Sequence, residues 1–180
     1  MEIKVRKMKL RDIFSFSTLY LSLPEEDKKL FHPFPLQKWK LLPVITYIAL
    51  SSMFNKYLRK IIPKFTFLAL IAEDIENKKI AGFAYLHIKG KYSPNKYTAN
   101  LGIVVSKEYR GHHIGSLLMK RLIKTAKENE IKKIELDVLT QNTPAINLYK
   151  KYGFVIEGEI KTKCPVDKKT YRSYKMGLEL

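Results

Sequence analysis

Residues 101–116, LGIVVSKEYRGHHIGS, decide how this chain is read. Their first part, with Leu101, Ile103, Val104 and Val105, has the composition of a buried strand. Ser106, Lys107 and Glu108 form a charged turn, which runs into Arg110-Gly111-His112-His113-Ile114-Gly115. Beyond it, Ile114, Leu117, Leu118, Arg121, Leu122 and Thr125 recur at the spacing of a helix with one apolar face. A strand that turns through glycine into a helix leaves N–H groups at the helix start without partners. Those groups and the positive end of the helix dipole suit an anionic oxygen such as a phosphate. Glycines also serve simply to close such a turn, so the turn alone leaves both readings open.

The next segment, residues 132–139 (KKIELDVL), reads as a strand with Ile134, Leu136 and Val138 on one face and Glu135, Asp137 and Leu139 on the other. With the helix between them, these two strands are expected to pair in parallel through a right-handed crossover. Asn142-Thr143-Pro144 is a helix start, a capping side chain followed by an early proline, and Gly153 closes that helix. Asn142, Ala145 and Tyr149 share a face of it, whereas Leu148 and Tyr152 lie on a neighbouring face expected to enter the core.

The remainder of the chain supplies the frame. Residues 2–8 alternate as a first strand, and residues 11–23 and 25–31 read as helices separated by Pro24. His32-Pro33-Phe34-Pro35 is a rigid break, followed by a helix expected around residues 45–59. Residues 66–73 and 80–88 form a hairpin around a polar turn, residues 90–95 are a loop, and residues 154–161 and 171–180 are a final strand pair. This order predicts an α/β (α+β) fold: a mixed, mostly antiparallel central sheet of about seven strands, with one parallel pair and helices on both faces. No repeat or linker divides the chain, so residues 1–180 are expected to be one domain.

Composition narrows the functional classes. Apolar residues make up 46% and charged residues 28%, which excludes a disordered chain. The lone Cys164 rules out an internal disulfide and a multi-cysteine metal site; a reducing, cytoplasmic setting is the default expectation. The N-terminal residues show no signal peptide, and residues 41–54 (LLPVITYIALSSMF) are too short to span a bilayer. Net charge is +17, which attracts phosphorylated cofactors, acidic proteins and nucleic acid alike. The lysines are spread along the chain and do not alternate with aromatics, so a base-stacking surface is disfavoured.

Residues 101–119 together with residues 135–158 (ELDVLTQNTPAINLYKKYGFVIEG) resemble the GNAT superfamily of N-acetyltransferases. The family's signature is Arg or Gln, two residues, Gly, one residue, then Gly or Ala, with a downstream Asn…Ala…Leu-Tyr…Gly-Phe segment. The resemblance implies transfer of an acetyl group from acetyl-CoA to a primary amine, by direct attack in a ternary complex and without a metal. It places the cofactor-binding core in residues 97–158 and the acceptor side in residues 31–60. Ile103, Val104 and Val105 would sit in the middle of the sheet on a strand that splays from its parallel neighbour, and would offer backbone groups to the pantetheine arm as an extra strand would. Arg110, Gly111, His112, His113, Ile114, Gly115 and Ser116 would wrap the pyrophosphate, and Asn142 would hydrogen-bond the pantetheine.

Tyr149 matches the family's usual general acid, a phenol able to protonate a departing thiolate while neutral at pH 7. Asp137 is the candidate base, with Glu135 on the same strand face; Asn100, on the strand before the turn, is an amide and cannot serve. One departure stands out: His113 occupies the position of the first signature glycine, and it would keep its N–H available with a negative φ. Neither His112 nor His113 is assigned a catalytic role. The apolar, aromatic character of residues 31–59 favours a peptide terminus, a protein lysine or a hydrophobic small amine as acceptor. The alternative is an inactive relative that binds nucleic acid or ribosomes through its charge. No membrane partner is expected, and the chain would be a monomer or homodimer.

Overall fold

Alternating side chains carry β1 (Ile3–Lys7) against β2 (Phe65–Asp74), with Val5 opposite Ala72. The computed structural model describes residues 1–31, 33–53, 65–89, 97–164 and 166–180. Between those strands lie α1 (Ile13–Leu21), α2 (Glu25–Leu30) and α3 (Lys38–Met53). The polar turn after β2 returns the chain as β3 (Lys79–Lys89), which pairs antiparallel with β4 (Thr98–Val105). Then follow α4 (Ile114–Glu128), β5 (Lys133–Leu139), α5 (Thr143–Lys151), β6 (Val155–Lys163) and β7 (Thr170–Glu179). One seven-stranded sheet results, in the order β1-β2-β3-β4-β5-β7-β6, and β4–β5 is its parallel pair.

The period-2 pattern of the strands divides the interior between two faces. Against one face pack Ile114, Leu118, Met119, Leu122 and Ala126 of α4, meeting Leu70, Leu86, Leu101 and Leu136 of the sheet. Against the other pack Phe16 and Tyr20 of α1 with Leu41, Ile45 and Ile48 of α3, meeting Ile71, Phe83 and Val104. Leu117, expected on the apolar stripe of α4, is 43% exposed, and Met119 is buried instead. At the first edge, Arg6 donates to Asp12 at 2.7 and 2.8 Å and to Glu73 at 2.7 Å, so the cation ties β1 to both β2 and the turn before α1.

Two elements differ from the sequence reading. Helix α3 begins at Lys38, not near Ile45, and contains Pro43. The proline forfeits only the one hydrogen bond that its missing N–H would have given to the carbonyl of Trp39, and the exposed end of the helix at Trp39 tolerates that loss. Residues 54–59 of that expected helix and the loop at 90–95 lie outside the described residues. The apolar character of residues 31–53 belongs mainly to the core: Phe34, Leu41, Ile45 and Ile48 are all buried there. The buried ring of Tyr20 donates its hydroxyl to the Phe34 carbonyl at 2.7 Å, pinning the segment after α2 onto α1; burial pushes that phenol up to about 12. Among the described residues, no helix is long and apolar enough to cross a membrane.

Candidate active site

Strands β4 and β5 hydrogen-bond only at their beginnings, where Thr98, Ala99 and Asn100 face Lys133, Ile134 and Glu135. Past Asn100 they part. On its other edge β4 stays paired to β3 through Val105, so the edge of residues 101–105 that faces β5 is left open. Into this gap opens a cleft of about 630 Å³ lined by Leu101, Ile103, Val105, Asp137, Leu139 and Ala145, among others. A strand edge with free N–H and C=O groups inside a cleft is a surface for pairing an extended, amide-bearing ligand.

The turn at the end of β4 supplies the second feature. Gly111 has φ +80 and His113 has φ +58, so the backbone alternates into the left-handed region on either side of His112. The amide N–H groups of residues 111–116 make no backbone hydrogen bond among the described residues, and the first of the α4 ladder is Leu117 to His113 at 3.1 Å. Gly111, His112 and His113 are exposed, and Leu148 packs beside Gly115, where a Cβ would meet its Cδ2 at 3.2 Å. Unpartnered amides at the mouth of a helix make an anion cradle. His113 corrects the expectation of a negative φ: it adopts the conformation that the signature glycine would have taken without a Cβ penalty. The His112 ring nitrogen Nδ1 lies 3.0 Å from the Arg110 carbonyl, a contact that ties the turn to itself.

Arg110 is placed at the cleft but is not free. Its Nη2 lies 2.8 Å from Oδ1 of Asp27 on α2, a carboxylate that no motif singles out. Asn142 caps α5: its side-chain Oδ1 accepts from the Ala145 N–H at 3.3 Å, and the residue lines the cleft.

Asn142, Ala145 and Tyr149 of α5 all line the cleft, and Leu148, expected in the core, lines it too. Tyr149 is 7% exposed and packs on Phe154, with ring centroids 5.7 Å apart, within the core on the α4 face. Leu148, expected in the core, is only partly buried and lines the cleft; the partly buried Tyr152 donates its hydroxyl to the Ser116 carbonyl at 2.9 Å. Tyr149 also lines the cleft, and its hydroxyl receives no hydrogen bond from the described residues. Burial, and secondarily the neighbouring Tyr85, holds its pKa well above the ordinary phenol value.

Tyr85 is the residue that sequence reasoning missed. It stands opposite Gly102 in the β3–β4 register, where the open edge of β4 begins. A Cβ on Gly102 would lie 2.2 Å from the Tyr85 ring, so the glycine is the space into which that phenol folds. Burial also raises the Tyr85 pKa, so the cleft carries two neutral phenols within electrostatic reach of each other. The signal was a glycine inside a strand, which marks the close approach of another group.

Asp137 is exposed on β5 and lines both this cleft and a second cavity of about 450 Å³. Asn100, Glu135, Ile160 and Lys175 also line the second cavity. Glu135 sits 3.6 Å from the Lys133 ammonium. Among the described residues, no group of His, Cys, Asp and Glu is placed to hold a metal ion.

Comparison with known proteins agrees with the fold. Residues 37–154 match the model of the Acetyltransferase (GNAT) family. The L-amino acid N-acetyltransferase AaaT of Escherichia coli K12 is 41% identical over 64 residues, 34% of this chain and 39% of that protein. The chain thus spans about two fifths of the length of that curated relative. The crystal structure of an acetyltransferase of the GNAT family from Streptococcus pneumoniae superposes with a TM-score of 0.75 at 23% identity, covering 99% of this chain and 100% of that one. The structure of yncA from Salmonella typhimurium, with its cofactor acetyl-CoA, gives 0.76 at 16% identity, covering 100% and 95%.

Proposed function

The chain belongs to the acetyltransferase (GNAT) family, and from that membership we propose that it transfers an acetyl group from acetyl-CoA to a primary amine on a peptide, a protein or a small molecule. The observation that carries this reading is the coincidence of an open strand edge and a phenol in one cleft with a turn of unpartnered amides whose Arg110 and Gly115 line that cleft. Each fits one part of an acyl carrier of this kind. The edge of Ile103, Val104 and Val105 pairs with the amide-bearing pantetheine arm, and Asn142 adds a hydrogen bond to it. The amides of Gly111, His112, His113, Ile114, Gly115 and Ser116 hold the diphosphate, with the Arg110 guanidinium beside them. The acetyl-CoA of the Salmonella structure and the amino-acid acceptor named for the E. coli relative support the same pairing of substrates.

Acetyl-CoA supplies an activated acyl group, so the chain has to position it and manage two protons. In the transfer, a C–N bond forms as the C–S bond breaks. One proton leaves the attacking amine and one reaches the departing sulfur. Tyr149 lines the cleft and is neutral throughout the physiological range, because burial disfavours its anion; it is the proton donor to sulfur. Asp137 lies where the cleft meets the second cavity and accepts the amine proton through water. That second cavity, reached from the opposite side of the β5 carboxylate, is the acceptor entrance. Phe31 and Pro33, from the segment expected to form the acceptor side, line the main cleft.

The decisive experiment measures thiol release from acetyl-CoA across a panel of amines, for the wild type and Tyr149→Phe. Loss of a positioned acid lowers kcat by roughly 10²–10⁴-fold. The stabilisation of the folded protein by acetyl-CoA in a thermal melt is retained in the variant. Unchanged turnover in Tyr149→Phe removes the tyrosine from the chemistry. The absence of any acetyl-CoA-dependent rise in melting temperature overturns the whole reading.

A further inference from the structure

Strands β5 and β7 set Asp137 directly opposite Lys175, and β6 sets Gly158 opposite Lys175 on the other side. Ile134, Leu136 and Val138 pack toward α4, so Asp137 and its cross-strand neighbours stand on the other sheet face. Ile160, opposite Ser173, shares that face. Asp137, Lys175 and Ile160 all line the second cavity. Cross-strand residues of opposite charge, with Cβ atoms about 4.5–5.5 Å apart, ordinarily pair directly. Lys175 does not: it forms no ion pair or hydrogen bond among the described residues. The cavity's other carboxylate, Glu135, is answered by the Lys133 ammonium at 3.6 Å, which also reaches Glu157 at 2.7 Å. An anion and a cation therefore face one small space without closing on each other. Beside the cation there is room, since a Cβ at Gly158 would meet nothing within 4 Å. Ile160, 38% exposed, adds an apolar wall.

We propose that this cavity takes the acceptor as a zwitterion, a free α-amino acid with an apolar side chain. Its amino group lies at Asp137, its carboxylate on the Lys175 ammonium and its side chain along Ile160. Asp137 lines the main cleft as well, so the amino group is the end nearest the acyl carrier. The paired charges also reject other amines. A peptide terminus or a protein lysine carries an amide where the free amino acid has its carboxylate, and leaves Lys175 unanswered. A diamine brings a second cation against that lysine. That this ligand is the acceptor rests on the acetyl-transfer reading; that it binds here does not.

Calorimetric titration of the chain, without cofactor, with L-leucine, L-leucinamide and putrescine tests this. Wild type is expected to bind leucine roughly tenfold or more tightly than its amide, the fold-change of one charge-assisted hydrogen bond. Lys175→Met keeps an aliphatic stem but loses the charge, so it weakens leucine alone and erases the preference. Lys175→Arg retains the preference, and Lys175→Glu turns it toward putrescine. Lys175 is exposed, so thermal melts of the three variants should match that of the wild type. A wild type that binds leucine and leucinamide alike, or binds neither at about 10 mM, overturns the proposal. A Lys175→Met that weakens both ligands equally overturns it too. Absence of an acetyl-CoA-dependent rise in melting temperature strikes the transfer reading instead, because the titration series is decided without the cofactor.

Discussion

Gly102→Ala offers the sharpest examination of how the cleft is shaped. An added Cβ would meet Cε1, Cζ and Oη of Tyr85 at 2.2, 2.6 and 2.8 Å, all shorter than a real contact. The ring cannot swing away freely, since Phe34, Phe67 and Phe83 surround it at centroid distances of 5.5, 5.8 and 5.9 Å. Overpacking of this kind costs about 1–3 kcal/mol. Gly102 carries no positive φ, so alanine also returns about 0.4–1 kcal/mol by restricting the unfolded chain. The net expectation is a destabilisation of about 1–2 kcal/mol, with weaker acetyl-CoA binding as Tyr85 is pushed into the cleft. In a Tyr85→Leu background the colliding ring atoms are gone, and Gly102→Ala becomes neutral or stabilising. The assay is urea unfolding of the four proteins of this double-mutant cycle. A coupling of about 1–3 kcal/mol is expected between positions in direct contact. Additive effects would refute the claim that Gly102 exists to admit Tyr85.

Three further outcomes can be measured. Relief of the left-handed backbone makes His113→Gly more stable by about 0.5–1 kcal/mol in thermal melts, with the turn amides and acetyl-CoA binding retained. Asp27→Asn releases Arg110 from its 2.8 Å ion pair, and isothermal titration should show acetyl-CoA bound more tightly and with a steeper salt dependence. For pH, the Arg6 hydrogen bond holds Glu73 below the usual carboxylate range, and at Asp12 the bonds from Arg6 and Lys9 outweigh a burial effect that acts upward. Depressed carboxylates stabilise the fold above their unfolded pKa and lose that contribution as pH falls through the folded one, so stability should drop below about pH 4. Burial raises Tyr20, Tyr85 and Tyr149, and raised phenols are lost in the opposite direction, so stability should also decline above about pH 10. Chemical denaturation across pH reads both limbs.

The placement of Asp27 and Tyr85 shows where sequence reasoning stops. Neither lies near its partner in the chain: Asp27 meets Arg110 only through the placement of α2, and Tyr85 meets Gly102 only through the β3–β4 register. Leu148, expected in the core, lines the cleft for a related reason. Helical periodicity fixes which side chains stand together, but it does not say which of two adjacent faces the core will claim. Tyr149 therefore proved more deeply buried than Leu148.

What the sequence alone determined is the linear pattern: strand, glycine turn and helix at residues 101–116, and the capped helix opened by Asn142-Thr143-Pro144. Those features rest on backbone conformation and short-range hydrogen bonds, which neighbouring residues specify among themselves. Tertiary structure decided the divergence of β4 from β5 after Asn100, the left-handed backbone of His113, and the pairing of Arg110 with a distant carboxylate. Each of those depends on packing between segments far apart in the chain, where the closing of the whole sheet, not local preference, sets the geometry.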